Sequence, residues 1–527
     1  MELLPDLKGD LFRQYLQEQG LISRLSLTVA SIIVVGILVN ILKQLLFKSP
    51  NEPPLIFHWL PFIGSTVTYG MDPPRFFKEN RAKYGDIFTF VLLGRKTTVY
   101  LGSQGNNFIL NGKHREISPE EIYAVLTTPV FGKDVIYDCP NAKLVEQKKF
   151  IKFALTSEAF RSYVPIISNE VQAYFQKRAD FRGKSGIVNI PSKMAEITIF
   201  TASHALQGSD IRAKFDESLA PLYHDLDMGF SAMNFSLHWA PLPWNRKRDI
   251  AQQRMSKLYT DTIQERRSRG DTQGLDILTH LMGCTYKDGT AVPDHEVAHM
   301  MIALLMAGQH TSSSASSWIM LWLAATPSIM EDLLQEQKTN LGPNLPPLTY
   351  ESLANLPLHE AVVKETLRLH ASIHSMMRAV KQPLHVPGTK YVIPPHHVLL
   401  AAPGISGSDP AYFPDPEVWD PRRWLRGSAR APTFALLLDD ADWEDKADYA
   451  VGKGASSPYL PFGAGRHRCI GEKFAYVQLQ TIVANVVRLF RFAAVDGTEG
   501  KVGGTDYASL FSRPLEPANI RWERRRG

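Results

Sequence analysis

Cysteine is scarce in this chain of 527 residues, which contains only Cys139, Cys284 and Cys469. Three scattered thiols exclude a disulfide framework and favour a reducing compartment. An excess of one charge sign is also missing, because 58 Lys and Arg stand against 53 Asp and Glu and give a formal net charge of +5. So small an excess gives no support for nucleic acid as a partner.

Two common cofactor motifs are absent from the sequence as well. No Cys-x-x-Cys pair exists to complete a zinc site. No Gly-x-Gly-x-x-Gly turn opens a strand–helix unit for a nicotinamide or a flavin, so any electrons must come from a separate protein. The composition, with 44% hydrophobic and 21% charged residues, is typical of a globular chain.

An uncharged hydrophobic run lies near the N-terminus, where Leu25–Leu42 covers 18 residues. This length reaches the lower end of what crosses a bilayer. A cleaved signal peptide is the alternative, but no small-residue cleavage site follows the run. We predict an amphipathic membrane-surface helix at 1–21, a transmembrane helix at 22–47 and a proline-rich hinge at 48–75. Lys and Arg are balanced on the two flanks and leave the orientation open.

The remainder, 76–527, is predicted to be one mainly helical domain with small β-sheets. Two β-rich runs within Ile87–Leu101 predict a hairpin around Leu93 and Gly94. The acidic segment Asp439–Asp448 predicts a surface insertion, and the basic end Arg521–Arg526 a solvated tail. Helical periodicity is clearest over Ala159–Arg178, Val297–Ala325, Leu358–His370 and Ile470–Phe490.

Cys469 lies in PFGAGRHRCIG (461–471), directly before a predicted amphipathic helix. A lone cysteine is most often a buried structural residue. Here free backbone N–H groups, the helix dipole and two arginines favour the thiolate. The glycines allow the backbone to pass close to a flat, bulky group. A thiolate so placed suits the axial position of a haem iron, where it favours O–O cleavage.

Two further motifs agree with a haem-thiolate enzyme. Glu365 and Arg368 lie three residues apart on one helical face, and Arg423 offers a second guanidinium for a Glu–Arg–Arg network. A long helix from about Pro293 to Ala325 carries AGQHTS at 307–312. At 1.5 Å per residue it extends about 48 Å, and its central glycine weakens the hydrogen-bond ladder next to Thr311.

These three motifs, in this order and spacing, resemble the cytochrome P450 family over essentially the whole chain after the anchor. YAVLTTPVFG (123–132), VIYDCPN (135–141), EQKKF (146–150) and GQHTS (308–312) are similar to the fungal sterol 14α-demethylases. The resemblance implies the cytochrome P450 fold with a single-pass anchor, and haem b with Cys469 as the iron ligand. The residues implied to hold the haem are Tyr123, Tyr137, Lys148, Arg378, Phe462, Gly465, His467, Cys469 and Gly471.

The resemblance also implies a sterol cavity and a catalytic proton relay. Thr311, His310 and Asp227 form the implied relay, with His310 standing where many family members have an acidic residue. Ala307 stands where the family often has a second glycine. The implied substrate contacts are Phe131, Phe230, Phe235, Met306, Ala307, His374, Ser375, Met377, Leu510 and Phe511.

The activity implied is removal of the 14α-methyl group of lanosterol or eburicol through alcohol and aldehyde, with release as formate, in ergosterol biosynthesis. O₂ and NADPH would be co-substrates, with electrons delivered by an NADPH-cytochrome P450 reductase. Azole inhibitors are expected to bind the iron, and the expected location is the endoplasmic reticulum membrane with the catalytic domain in the cytosol. The alternatives are a related monooxygenase acting on another lipid and a non-catalytic sterol-binding sensor. A sensor would need no proton relay.

Overall fold

A computed structural model describes residues 6–215, 219–270, 274, 276–434, 454–495 and 500–525. The predicted acidic insertion at 439–448 lies outside these residues. The helices are α1 Asp6–Leu46, α2 Thr66–Met71, α3 Pro73–Tyr84, α4 Gly102–Leu110, α5 Glu120–Phe131, α6 Asn141–Phe153, α7 Ser157–Lys177, α8 Ile190–Ala202, α9 Ser209–Lys214, α10 Ala220–Asp227, α11 Asn234–Leu237, α12 Pro243–Arg269, α13 Ile277–Met282, α14 Asp294–Ala325, α15 Pro327–Leu341, α16 Tyr350–Ala354, α17 Pro357–Leu369, α18 Pro403–Gly407 and α19 Glu472–Leu489.

Four small sheets accompany the helices. Their strands are β1 Ile87–Leu92, β2 Arg95–Tyr100, β3 Ile117–Ser118, β4 Ser185–Asn189, β5 Met376–Val380, β6 Leu384–His385, β7 Val392–Ile393, β8 Val398–Ala401, β9 Phe490–Ala494, β10 Thr505–Asp506, β11 Arg513–Pro514 and β12 Asn519–Arg524. The strand orders are β1-β2-β8-β5-β3, β4-β12-β9, β6-β7 and β10-β11, and only the β2–β8 pairing is parallel among the pairings between these strands.

The mainly helical fold with small sheets is confirmed, and the four predicted helices correspond to α7, α14, α17 and α19. The predicted hairpin is β1 and β2. Its turn residues Leu93 and Gly94 both have positive φ, 46° and 77°, which matches the twist of a tight antiparallel hairpin.

Helix α14 is the central element of the domain. It packs against α5, α8, α12, α17 and α19, and most of its side chains are buried. Because the helix runs through the core, a residue at its midpoint is reached by elements from distant parts of the chain. Helix α19 follows the Cys469 segment directly and packs against the same core.

One continuous helix, α1, covers both predicted N-terminal segments. Within it Ser23–Leu46 is long and apolar enough to cross a membrane, and no part of its most apolar stretch is buried against the rest of the protein. The division at residues 21 and 22 stays a prediction. Near its end the amides of Asn40 and Gln44 donate hydrogen bonds of 2.9 Å and 2.8 Å to His58 O.

The proline-rich segment 48–75 is more structured than a simple extended hinge. It contains α2 and the start of α3, and Ile56 N and Pro54 O bond to the backbone of Thr89 on the edge strand β1. Tyr69 of α2 is buried. The segment therefore attaches to the domain along the sheet edge.

The predicted solvated tail at Arg521–Arg526 is wrong for the part that the structure describes. Residues 519–524 form β12, the middle strand between β4 and β9. Arg525 pairs with Glu331 at 2.8 Å. The charges face out while Ile520 and Trp522 are buried, so the run is an amphipathic strand.

Candidate active site

The loop before α19 presents the Cys469 thiol. Gly463 and Gly465 have φ of 68° and 66°, a conformation that favours glycine, and a side chain on Gly465 would collide with Leu110 O. Cys469 N donates a 3.0 Å hydrogen bond to Phe462 O and closes the turn. The Cys469 thiol is surrounded by protein, yet part of its surface touches no other atom. That free surface therefore faces a space inside the domain.

Basic and hydroxyl side chains converge beside this loop. Lys148 Nζ donates a 3.0 Å hydrogen bond to Arg466 O. Burial lowers the pKa of His467 to about 3, and the positive charges of Arg378 and Lys148 add to this effect. Neither ring nitrogen of His467 has a hydrogen-bond partner among the described residues. The Tyr137 ring lies 6.0 Å from the His467 ring and 5.8 Å from that of Tyr123.

Glu120 is the carboxylate that acts on these side chains, and it is outnumbered by the positive charges of Lys148, Arg378 and Arg466. Arg378 is buried, and its guanidinium donates a 2.8 Å hydrogen bond to the carbonyl oxygen of its neighbour Met377. Lys148, Arg378 and His467 have no ion-pair partner in the described part of the chain. Burial raises the pKa of Tyr137 to about 12, so its hydroxyl keeps its proton as a donor. A cluster of donors without acceptors is suited to an anionic ligand.

The middle of α14 opens onto the interior of the domain. Ala307 is exposed although residues on both sides of it are buried, and no atom lies within 4 Å of a Cβ added to Gly308. The Thr311 hydroxyl donates a 2.8 Å hydrogen bond to Ala307 O, which agrees with the weakened ladder expected there. This stretch of the helix therefore leaves room for a bound molecule.

His310 and Asp227 are brought together from α14 and α10. His310 Nε2 lies 3.3 Å from Asp227 Oδ1, and the imidazole stacks on Phe511 with ring centres 5.4 Å apart. Burial lowers the pKa of His310. The negative charge of Asp227 opposes this shift, and the positive charge of Arg513 adds to it. Arg513 lies 3.8 Å from the other oxygen of Asp227, so the carboxylate faces two basic groups.

An apolar cavity opens between the N-terminal sheet edge and the C-terminal hairpin. Its volume of about 120 Å³ is below the ~300 Å³ at which ligand pockets usually begin, so a sterol requires its walls to move apart. Five of the predicted substrate contacts line it: Phe235, His374, Ser375, Met377 and Leu510.

The other predicted contacts do not line this cavity. Phe131, Phe230 and Met306 are buried in the main core, where the Phe230 ring lies 5.7 Å from Phe131 and 5.3 Å from Phe511. The three phenylalanines form an aromatic cluster.

The sequence analysis missed Tyr69, whose hydroxyl donates a 3.0 Å hydrogen bond to Ser375 Oγ in this cavity. Ser375 Oγ also lies 2.8 Å from His374 Nδ1, and burial lowers the pKa of His374 to about 4. Tyr69 lies in the segment predicted as a hinge, and no local pattern links it to residues 300 positions away.

Glu365, Arg368 and Arg423 form the expected network with fully buried side chains. Arg368 donates two 2.9 Å hydrogen bonds to the carboxylate, and Arg423 Nε adds one of 2.8 Å. Trp424 Nε1 and Asp420 N complete the set at 3.0 Å each.

Comparison with known proteins agrees with this geometry. The family model described as "Cytochrome P450" matches residues 53–512. The chain belongs to the cytochrome P450 family. It is 66% identical, over the full length of both chains, to "Sterol 14-alpha demethylase CYP51A" of Gibberella zeae. It is 59% identical to "Eburicol 14-alpha-demethylase" of Uncinula necator, covering 99% of this chain and 100% of that one.

A solved structure shares the fold at much lower similarity. "Retinoic acid bound cyanobacterial CYP120A1" superposes with a TM-score of 0.73 at 21% identity, covering 91% of this chain and 100% of that one. At that identity the likeness supports the cytochrome P450 architecture alone. Since the family carries a haem with a cysteine thiolate ligand, the residues around Cys469 can be tested for their fit to that group.

The residues fit a haem. The donor cluster of Tyr123, Tyr137, Lys148, Arg378 and His467 matches two propionates, which supply the missing acceptors. A side chain on Gly471 would stand in ordinary contact with Cys469 Sγ, at 3.8 Å. Cys469 would then be the residue that binds the haem iron in this cytochrome P450.

The expected activation of the Cys469 thiol by its loop is wrong in its net direction. Burial raises the pKa of the thiol, and the amide of Gly471 with Lys148 and Arg468 opposes this without overcoming it. Burial disfavours a charge more than a few dipoles favour it. The iron itself must therefore stabilise the thiolate, since a coordinating thiol is deprotonated by its metal.

The surface beneath the cysteine loop has a cleft of about 860 Å³. Its wall includes Phe462, Arg468 and Lys473. Arg468 is bound to Glu472 by hydrogen bonds of 2.6 Å and 2.7 Å, whereas Lys473 is exposed. The cytochrome P450 therefore offers a partly neutralised basic surface on its cysteine side.

Proposed function

We propose that this cytochrome P450 removes the 14α-methyl group of lanosterol or eburicol in three successive oxidations, releasing it as formate. The observation that carries the proposal is the 66% identity over full length to a fungal sterol 14-alpha demethylase. The apolar cavity and its few polar groups support it, because a tetracyclic sterol needs apolar walls and one anchor for its hydroxyl.

A haem bound here would supply the oxidising chemistry, with O₂ and electrons from NADPH through a separate reductase. Cys469 would bind its iron. Tyr123, Tyr137, Lys148, Arg378 and His467 would hold the propionates, with Phe462, Gly465 and Gly471 shaping the loop. An azole nitrogen would bind the same iron.

Proton delivery is assigned to Thr311, His310 and Asp227. Asp227 faces the imidazole of His310, which burial keeps in its neutral form and which can take a proton at one nitrogen as it gives one up at the other. The Thr311 hydroxyl points along the opened stretch of α14 toward Ala307 and can carry that proton to the interior. The stacking on Phe511 keeps the ring in place.

The sterol hydroxyl is assigned to the Tyr69, Ser375 and His374 group. Because the pKa of His374 is lowered to about 4, the ring is neutral at pH 7 and one nitrogen can still accept or donate a hydrogen bond. Phe235, Met377 and Leu510 flank it, while Phe131, Phe230, Met306 and Phe511 pack behind Ala307.

The location is part of the same proposal and rests on the resemblance together with the apolar helix α1. Helix α1 holds the protein in the endoplasmic reticulum membrane with the catalytic domain in the cytosol, where the reductase is found. Exposed apolar side chains at Trp59, Phe62, Met71 and Trp239 lie in segments that flank the cavity-lining residues. They favour contact with the bilayer, from which a sterol is taken.

The test is turnover of the full-length protein with a cytochrome P450 reductase and NADPH. Lanosterol and eburicol are given separately and the products are read by mass spectrometry. A 14-desmethyl diene plus formate is the expected result. Reduction of the haem without any sterol product would reject the demethylase function and leave the family assignment intact.

The relay is tested in the same assay with His310→Ala/Asp227→Ala. Loss of a positioned acid–base group lowers turnover by roughly 10²- to 10⁴-fold. Full three-step turnover in this double variant would remove His310 and Asp227 from proton delivery.

A further inference from the structure

The segment that carries Tyr137 has an unfavourable backbone. Between α5 and α6, Gly132, Asp134 and Ile136 have φ of 108°, 66° and 55°. A β-branched residue such as Ile136 rarely adopts this region, so surrounding contacts must impose it. Gly132 is required where it stands, because a side chain there would collide with the ring of His299 on α14.

A single buried amide holds this segment on both sides. Gln147 of α6 is 1% exposed, and its Nε2 donates a 2.9 Å hydrogen bond to Asp134 O. Its Oε1 accepts a 3.2 Å hydrogen bond from Ile136 N. The residue after Ile136 is Tyr137, and the residue after Gln147 is Lys148. Both neighbours belong to the donor cluster at the haem.

Two further residues fix the orientation of this amide. Gln147 Nε2 also donates to Tyr286 Oη at 3.1 Å, and the Tyr286 hydroxyl donates to Glu296 Oε2 at 2.5 Å. Glu296, in the first turn of α14, is buried and receives a second hydrogen bond of 2.7 Å from Lys143 Nζ. The chain of donors and acceptors therefore runs without interruption from α14 to the backbone around Tyr137.

Neighbouring residues of α14 support the same segment. His295 Nε2 lies 3.3 Å from Asp134 Oδ2, and the His299 ring nitrogen Nδ1 lies 2.9 Å from Lys133 O. The start of α14 is thus bonded to the segment that carries Tyr137, one of the proposed propionate donors.

We propose that Gln147, Tyr286 and Glu296 are positioning residues for the haem, holding Tyr137 and Lys148 in the geometry that binds the propionates. None of the three is expected to touch the haem. They act by imposing a backbone that the segment would not keep alone. The inference depends on the family's haem and is independent of which sterol is oxidised.

The test is the rate of haem release from the haem-loaded, full-length Tyr286→Phe variant, measured by transfer to excess apomyoglobin. The substitution removes one hydroxyl and preserves the ring that packs 5.5 Å from Phe150. We expect release to accelerate roughly 10- to 100-fold, the effect typical of residues that orient ligating groups. Glu296→Gln should give a smaller acceleration, since the amide still accepts from Tyr286.

Glu170→Gln is the matched control, because Glu170 is a partly buried carboxylate on α7 that pairs with Arg212 and His204 away from this segment. Its haem release should equal that of the wild type. Wild-type release from Tyr286→Phe, or equal acceleration in Glu170→Gln, would overturn the inference. Absence of a thiolate-type carbon monoxide spectrum in the wild type would instead reject the proposed function.

Discussion

Two clusters of buried basic side chains in this protein differ in what surrounds them. Around Glu365, the guanidinium groups of Arg368 and Arg423 bind one carboxylate and several backbone carbonyls, so their hydrogen-bonding capacity is used within the protein. Around His467, the charges of Lys148 and Arg378 outweigh the one carboxylate that acts on the ring, that of Glu120, and none of the three basic side chains forms an ion pair with a carboxylate among the described residues. Similar residue types thus serve opposite purposes.

The difference identifies which cluster is structural and which awaits a ligand. An internally paired network contributes to the folded state whether or not haem is present. A cluster of unpaired donors costs free energy until an anion binds. The two clusters should therefore respond in opposite ways to the loss of one member, and their responses can be measured.

The largest effect is expected for Glu365→Gln. Two buried guanidinium groups lose their counter-charge, and breaking a buried ion pair typically costs about 3–5 kcal/mol. Chemical denaturation should show that loss in both the haem-free and haem-loaded protein. The exposed pair Arg75–Glu79 is the control, and Glu79→Gln should leave the free energy of unfolding unchanged. Equal stability of Glu365→Gln and wild type would contradict the structural role.

Arg378→Met should separate the two clusters. Removing this charge takes away repulsion with Lys148, so the haem-free protein should be no less stable than wild type. Haem binding should weaken by about 1.5–3 kcal/mol, the contribution of a hydrogen bond to a charged group. Denaturation of the haem-free form and a haem titration measure the two quantities. A destabilised haem-free form with unchanged haem affinity would place Arg378 among the structural arginines.

His374 is a buried basic side chain outside both clusters, and it is neutral. Because burial lowers its pKa to about 4, against about 6.5 in the unfolded chain, the unfolded state binds more protons between these values. Stability should therefore fall as the pH drops through this window, with a contribution of about 2 kcal/mol between pH 7 and pH 5. His374→Phe should flatten that part of the pH profile. An unchanged slope would show that the pKa of His374 is the same in the folded and unfolded states.

The smallest effect concerns the basic surface on the cysteine side. Lys473→Glu should slow reduction by the reductase several-fold at low salt, and the difference should vanish at high salt because exposed charges are screened. Arg468 is already neutralised by Glu472, so Arg468→Gln should have less effect on the rate. Equal rates for Lys473→Glu and wild type at low salt would exclude this surface.

Local patterns predicted the parts of the fold that depend on local chemistry. The boundaries of α7, α14, α17 and α19 fall within three residues of the predicted ones because their periodicity is strong. The hairpin turn at Leu93 and Gly94 follows from two residues that must adopt positive φ.

Features that depend on distant partners were missed. The basic end was expected to be solvated, yet it is the central strand between β4 and β9. Strand β4 lies more than 300 residues earlier in the chain, and β9 about 30 residues earlier. Tyr69 could not be linked to Ser375 by any spacing. The thiol pKa was predicted in the wrong direction because burial, which depends on the whole fold, outweighs the local dipoles and charges.

The contact between the anchor and the domain has a mechanical consequence. Asn40 and Gln44 bind the backbone at His58 and Trp59, so the spanning helix and the domain share a joint of several hydrogen bonds. A spanning helix tilts when the bilayer becomes thinner. With such a joint, a tilt of α1 in a bilayer would turn the domain with it. Bilayer thickness would then set the orientation of the domain toward the membrane surface.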